Sequence, residues 1–336
     1  MEEAGNGQYD SGESGDYSRF GIPDAPKTTV TTPFGKAKTC AGLLPKERWF
    51  LVLSFINILA AIGLTAYRLV VVAKDDPTNS DFTFTILIIV NAAFVAFYVL
   101  HGVLRERKYE LYVQIVAILV ILIYCIVEYA VKTDTRTTVK LVRLIIACVL
   151  APPNIILSVF VARDFGELEF RIAGASAHLQ RIYNEAAIFS CWLKFDLQVT
   201  VSLVILALQD GTKIDTLEIV TLAVGIPYTF LWDVFGWFVL RLELGFGAFV
   251  FAALGLAKPA YYVYKFVELY RDLETHTHNN IITYCVIICG ALAVLVWLIL
   301  MVELVRVFRN FGKGLKERGR ISFGAFTLGQ ALGTPN

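Results

Sequence analysis

In the otherwise apolar run CWLKFDLQVTVSL, residues 191–203, stand Lys194, Asp196 and Gln198. A carboxylate held inside a membrane can take up a proton or a cation, and a lysine beside it can balance charge. Lys194 and Asp196 are two residues apart, about 200° around a helix, so they cannot pair with each other. Their partners must come from other segments. Lys194 has a stem long enough to carry its ammonium to the headgroups. Asp196 does not, and an ionised, unpaired carboxylate at that depth costs about 2.5–3.5 kcal/mol.

Compensation is available at similar depth elsewhere. Asp233 lies in TFLWDVFGW and Lys258 in LGLAKPAYY, while Asn154 follows Pro152-Pro153 in a further apolar run. A Pro-Pro-Asn step frees backbone carbonyls, which at membrane depth must face protein or a hydrated cavity. Asp196, Asp233, Lys258, Lys194 and Asn154 are therefore the candidates for binding an ion or substrate. They point to a polar pocket in the inner half of a bundle. Asn57, Gln114 and Gln198 read as hydrogen bonds between helices, worth about 0.6 kcal/mol each.

The elements that position these residues follow from composition. The chain of 336 residues is 57% hydrophobic and 18% charged, with a mean hydropathy of +0.63, outside the soluble globular range. Runs of about 20 apolar residues cross the roughly 30 Å hydrocarbon layer as helices. Eight such spans are expected, at about 49–73, 83–104, 110–131, 141–162, 188–208, 217–240, 246–270 and 281–305. The fold class is all-α, a polytopic helical membrane protein. The seventh span carries Gly245, Gly247, Gly255 and Pro259, so a broken or re-entrant segment is expected there.

Lys and Arg collect after spans 2, 4, 6 and 8 and before span 1, which places both termini in the cytoplasm. The loop with Lys132, Arg136 and Lys140 dissents. Residues 1–48 are expected to form a disordered cytosolic tail, and 306–336 a basic cytosolic tail that meets anionic lipid. Between the four-helix groups 49–162 and 188–305, apolar residues at helical spacing predict a cytosolic amphipathic linker helix over 163–187, lying at the interface or leading into span 5.

Span 4 leaves the membrane through Arg163-Asp164-Phe165-Gly166 and span 8 through Arg309-Asn310-Phe311-Gly312. The match reads equally as a duplication into two parallel four-helix halves or as a shared exit signal, a basic residue and a glycine at a helix end.

The six cysteines lie in the tail or inside spans and make no disulfide framework. His276 and His278 lack further metal ligands. No nucleotide-binding glycine pattern, metalloprotease helix or nucleophile elbow is present, so neither an enzyme nor a cofactor is expected. Nucleic-acid binding is not expected either. The leading reading is a transporter or channel-like protein for a small solute or ion. The alternative is a non-catalytic receptor or scaffold whose N-terminal tail recruits a cytosolic protein partner.

Overall fold

In the computed structural model of the chain, residues 29–32, 35–75, 80–131, 138–166, 176–206, 216–275 and 281–313 are described. A small antiparallel hairpin, β1 (Thr29–Thr32) and β2 (Gly35–Lys38), precedes the helices. These are α1 (Pro45–Asp75), α2 (Ser80–Leu104), α3 (Lys108–Val131), α4 (Thr138–Asp164), α5 (Ala177–Leu206), α6 (Thr216–Leu242), α7 (Gly245–Gly255), α8 (Ala257–Thr275) and α9 (Ile281–Phe308). The architecture is all-α, as the apolar runs require. Among the described residues, seven segments are long and apolar enough to cross a membrane, one of them formed by α7 and α8 together. With α3 the bundle has about eight crossings, and the chain is a multi-pass membrane protein. Its outward faces carry Val52, Ile56 and Leu59 on α1 and Val149, Ile156 and Phe160 on α4, suited to acyl chains.

The helix starts and stops have local causes. Pro45 occupies the first turn of α1, where a missing N–H costs nothing, and Glu47 Oε2 accepts the backbone N–H of Leu44 at 2.9 Å. Span 7 is interrupted rather than re-entrant: α7 ends at Gly255 and α8 resumes at Ala257. Pro259 explains the break, since it cannot donate to the carbonyl of Gly255 and its ring crowds that position. Pro152 and Pro153 remain inside α4, and Pro227 inside α6.

One expectation changes. Residues 35–48 are not a free tail: Lys38 is 8% exposed and its Nζ lies 2.9 Å from Glu47 and 2.6 Å from Glu106. Of the two placements expected for the linker helix, the described part leads into span 5: from Ala177 onward it forms the opening turns of α5, because its apolar stripe runs without a breaker into the span. Residues 1–28, 167–175 and 314–336, together with Lys132, Arg136, His276 and His278, lie outside the described residues.

The packing repeats. In the first half α1 lies against α2 and α4, and α3 against α2 and α4. In the second half α5 lies against α6 and α9, and the broken span α7–α8 against α6 and α9. The first core gathers Phe50, Val99, Val103, Leu111 and Val161; the second gathers Phe189, Trp232, Val239, Phe251 and Leu300. The halves meet where α5 packs on α2 and α3. Both described ends share one face of the bundle, which we term the terminal face. There Lys46 pairs with Asp164 at 3.0 Å, and Asn310 donates to Glu185.

Candidate functional site

α5 is the axle of the polar interior. Lys194, Asp196, Gln198, Thr200 and Ser202 alternate along it and reach different neighbours, because a two-residue step turns the helix by about 200°. Only a helix enclosed on most sides can spend both faces on polar groups.

Asp196 accepts a hydrogen bond from the ammonium of Lys258 on α8, and the side chains are 1% and 3% exposed. Asp233 on α6 is 6% exposed and feels the charges of both Lys258 and Asp196. The three predicted charges therefore converge. Among the described residues neither carboxylate oxygen of Asp233 has a hydrogen-bond partner, and Asp196 Oδ1 also lacks one. Two acids share one base.

An aromatic wall positions that base. The Trp232 indole stacks on Phe251 with centroids 4.1 Å apart, donates Nε1–H to the Phe251 carbonyl at 2.9 Å, and presents its face to Lys258 Nζ, 4.0 Å from the ring centroid. Gly255 permits this approach, since a Cβ there would come within 2.8 Å of Trp232 Cζ2. The break after Gly255 thus serves the site twice, admitting the indole and setting the start of the helix that carries Lys258.

Lys194 belongs to a different cluster. It does not partner Asp196; its Nζ lies 2.5 Å from Glu110 Oε1 on α3 and 3.4 Å from His101 Nδ1 on α2, and His101 Nδ1 lies 2.6 Å from Glu110 Oε2. This cluster ties the halves together. The buried Tyr98 hydroxyl, without a hydrogen-bond partner, lies within electrostatic reach of both Glu110 and Asp233.

Asn154 is not in either group. Its amide donates to Ser54 at 3.1 Å and its oxygen accepts from Gln114 at 2.9 Å, while Ser158 donates to Gln114 at 3.3 Å. The Pro-Pro-Asn step serves a closed hydrogen-bonded knot in the core of the first half, where four satisfied groups hold three helices. Gln198 donates to Asn91 at 2.7 Å, and Asn91 donates to Ser202 at 3.1 Å across the junction of the halves.

Sequence reasoning missed Glu110, His101, Tyr98 and Trp232 as site residues. Glu110 and His101 flank the turn between spans 2 and 3 and look like ordinary solvated flank residues. The available signal was Lys194 itself, a cation at matching depth needing an acid. Among the described residues no group of three His, Cys, Asp or Glu side chains could hold a metal ion.

The family model described as Domain of unknown function (DUF7789) matches residues 34–163 and 173–306. The chain belongs to this family. The two matched stretches of the DUF7789 protein coincide with its two four-helix halves, the first ending at the last turn of α4 and the second at the last turn of α9. No curated protein and no solved structure matches the chain.

Proposed function

We propose that this DUF7789 protein is an integral membrane transporter or channel-like protein that moves a small solute or ion, with Asp233, Asp196 and Lys258 as the group that binds the driving proton or cation. The observation that carries the reading is the Asp233 carboxylate, buried with both oxygens unpartnered beside a lysine already bound to another acid. An isolated ionised carboxylate in a low-dielectric interior is too costly to persist. Asp233 therefore takes a proton or a cation while the bundle is closed. Releasing it requires contact with water, and that requirement couples occupancy to bundle shape. Pro152, Pro153, Pro227 and the break at Leu256 give the helices places to bend. No covalent chemistry is assigned to the chain. The basic flanks support both termini being cytoplasmic, with Arg306, Arg309 and Lys313 facing anionic lipid.

The test is flux in proteoliposomes across an imposed proton or cation gradient. Asp196→Asn and Asp233→Asn together are expected to abolish gradient-dependent flux. Unchanged flux in the double variant would remove the role given to the two acids.

A receptor or scaffold is favoured by one observation, the clamp of Lys38 on Glu47 and Glu106, which fixes the N-terminal segment to the bundle. On that reading the neutralising variants lose abundance rather than flux. A cytosolic protein would also co-purify only when residues 1–35 are present.

A further inference from the structure

A second feature lies apart from the charged groups, in the first half. Between α1, α2, α3 and α4 is an incompletely enclosed cavity of about 70 Å³. It exists because short side chains face one another there: Ala92 from α2 and Ala147 and Ala151 from α4, where leucine-sized residues would close the gap. Most of the lining is aliphatic, with Ile118 among it, while Asn57 and Thr65 supply polar groups from α1 and Arg143 a guanidinium from α4.

Thr65 makes the cavity more than a packing defect. It is fully buried, and its hydroxyl has no hydrogen-bond partner. A helical threonine ordinarily satisfies itself on a backbone carbonyl one turn earlier. A buried hydroxyl left unpaired loses its hydrogen bonds to water with nothing in return. Water is a poor occupant of most of the space, since a buried water needs two to four polar partners and the aliphatic side chains that make up most of the lining offer none. The apolar lining and the open side suit a single hydrocarbon chain.

We propose that this cavity binds a neutral amphiphile, one hydrocarbon chain bearing a hydroxyl or carbonyl that hydrogen-bonds Thr65 while the chain lies among α1 to α4. The ligand is either a free single-chain molecule or the ester-linked chain of a bilayer lipid. Both present the same chemistry to Thr65. The inference does not depend on the role given to Asp233.

The experiment uses the full chain in phosphatidylcholine nanodiscs with two photoactivatable probes, a diazirine-bearing long-chain alcohol and a phosphatidylcholine with the diazirine on one acyl chain. Labelled residues are mapped by mass spectrometry. Labelling of cavity residues such as Ile118 is expected with at least one probe, and which probe labels identifies the source. Thr65→Val should cut that labelling by about three- to tenfold, the value of one hydrogen bond, and Thr65→Ser should restore it. Ala92→Leu should remove it by filling the space. Thr65→Val and Thr65→Ser change little volume and keep the test decisive if Ala92→Leu does not fold. Labelling confined to outward residues such as Ile56 and Leu59, or labelling of Ile118 indifferent to Thr65→Val, overturns the proposal.

Discussion

Glu106 and Glu243 hold the same post in the two halves. Each follows the second helix of its half with a left-handed backbone, φ 51° in both. Each sits one residue before a backbone N–H that reaches back to close the helix end: Arg107 to the Gly102 carbonyl at 2.8 Å, and Leu244 to the Val239 carbonyl at 3.2 Å. Each carboxylate then accepts the backbone N–H of a glycine in an exit motif, Gly166 for Glu106 at 3.3 Å and Gly312 for Glu243 at 2.7 Å. Glycine is the usual residue at such a turn, and a glutamate there bears about 1–2 kcal/mol of backbone strain. The carboxylate explains why glutamate stands there, because it ties the second helix of each half to the end of the fourth. A shared exit signal accounts for the arginine and the glycine, but not for a strained glutamate waiting for each glycine. Duplication accounts for all three.

The two locks differ in what else they hold, which gives the first prediction. Glu106 also binds the buried Lys38, whereas Gly312 and Glu243 meet at an exposed site. Breaking a buried ion pair by removing one partner costs about 3–5 kcal/mol, and an exposed contact about 0–1 kcal/mol. Glu106→Ala is therefore expected to lower the thermal midpoint in detergent markedly and Glu243→Ala only slightly. Equal losses would mean that the hairpin clamp contributes nothing.

Lys38 should also leave a mark in alkali. Burial alone lowers its pKa, but hydrogen bonds and charge from Glu106 and Glu47 outweigh that, and the net value is raised above the ordinary 10.5. A raised folded-state pKa means that the charged lysine's contribution is complete below pH 10.5 and fades as pH climbs through the higher folded value. The difference in thermal midpoint between wild type and Lys38→Gln should be constant from neutral pH to about 10 and shrink beyond it. A gap that widens in alkali contradicts the clamp.

The third prediction concerns the junction of the halves. Glu110→Gln leaves the half-buried Lys194 without its anion, an expected loss of about 1.5–3 kcal/mol, while Glu110→Leu combined with Lys194→Met should recover much of it. A double-mutant cycle read by thermal unfolding measures the coupling. Independent, additive losses would show that the 2.5 Å contact carries no energy of its own.

Much of this fold was readable because membrane helices are written in runs of apolar residues, which length and composition locate without tertiary knowledge. Asp196, Asp233 and Lys258 were readable for the same reason, since a charge well inside an apolar run stands out against its neighbours. Residues near the water boundary were harder. Glu110 and His101 lie at span ends, where charge is ordinarily free, and only the packing of α5 against α2 and α3 buries them. Lys38 looked like part of a polar tail because its two acids stand nine and 68 positions further along the chain, at Glu47 and Glu106. Asn154 was read as part of a pocket because a Pro-Pro-Asn step demands partners. The sequence could not show that Ser54 and Gln114 supply them.

The last prediction separates function from architecture at the two acids. Lys258 is the only base bound to Asp196 among the described contacts, and it also lies over the Trp232 ring. Removing it as Lys258→Met strands two carboxylates in the interior and should cost about 3–5 kcal/mol. Asp196→Asn keeps a hydrogen-bond acceptor for Lys258 but weakens the pair, so its loss should be smaller. Asp233→Asn breaks no hydrogen bond, because neither oxygen makes one, and it removes a charge that burial opposes. It should leave the thermal midpoint unchanged or raise it. A residue retained for stability should not improve stability when neutralised, so a stable Asp233→Asn protein that has lost gradient-dependent flux would tie the carboxylate to transport. If Asp233→Asn is instead the most destabilising of the three, Asp233 is a structural partner of Lys258, and the binding of a proton or cation there loses its physical basis.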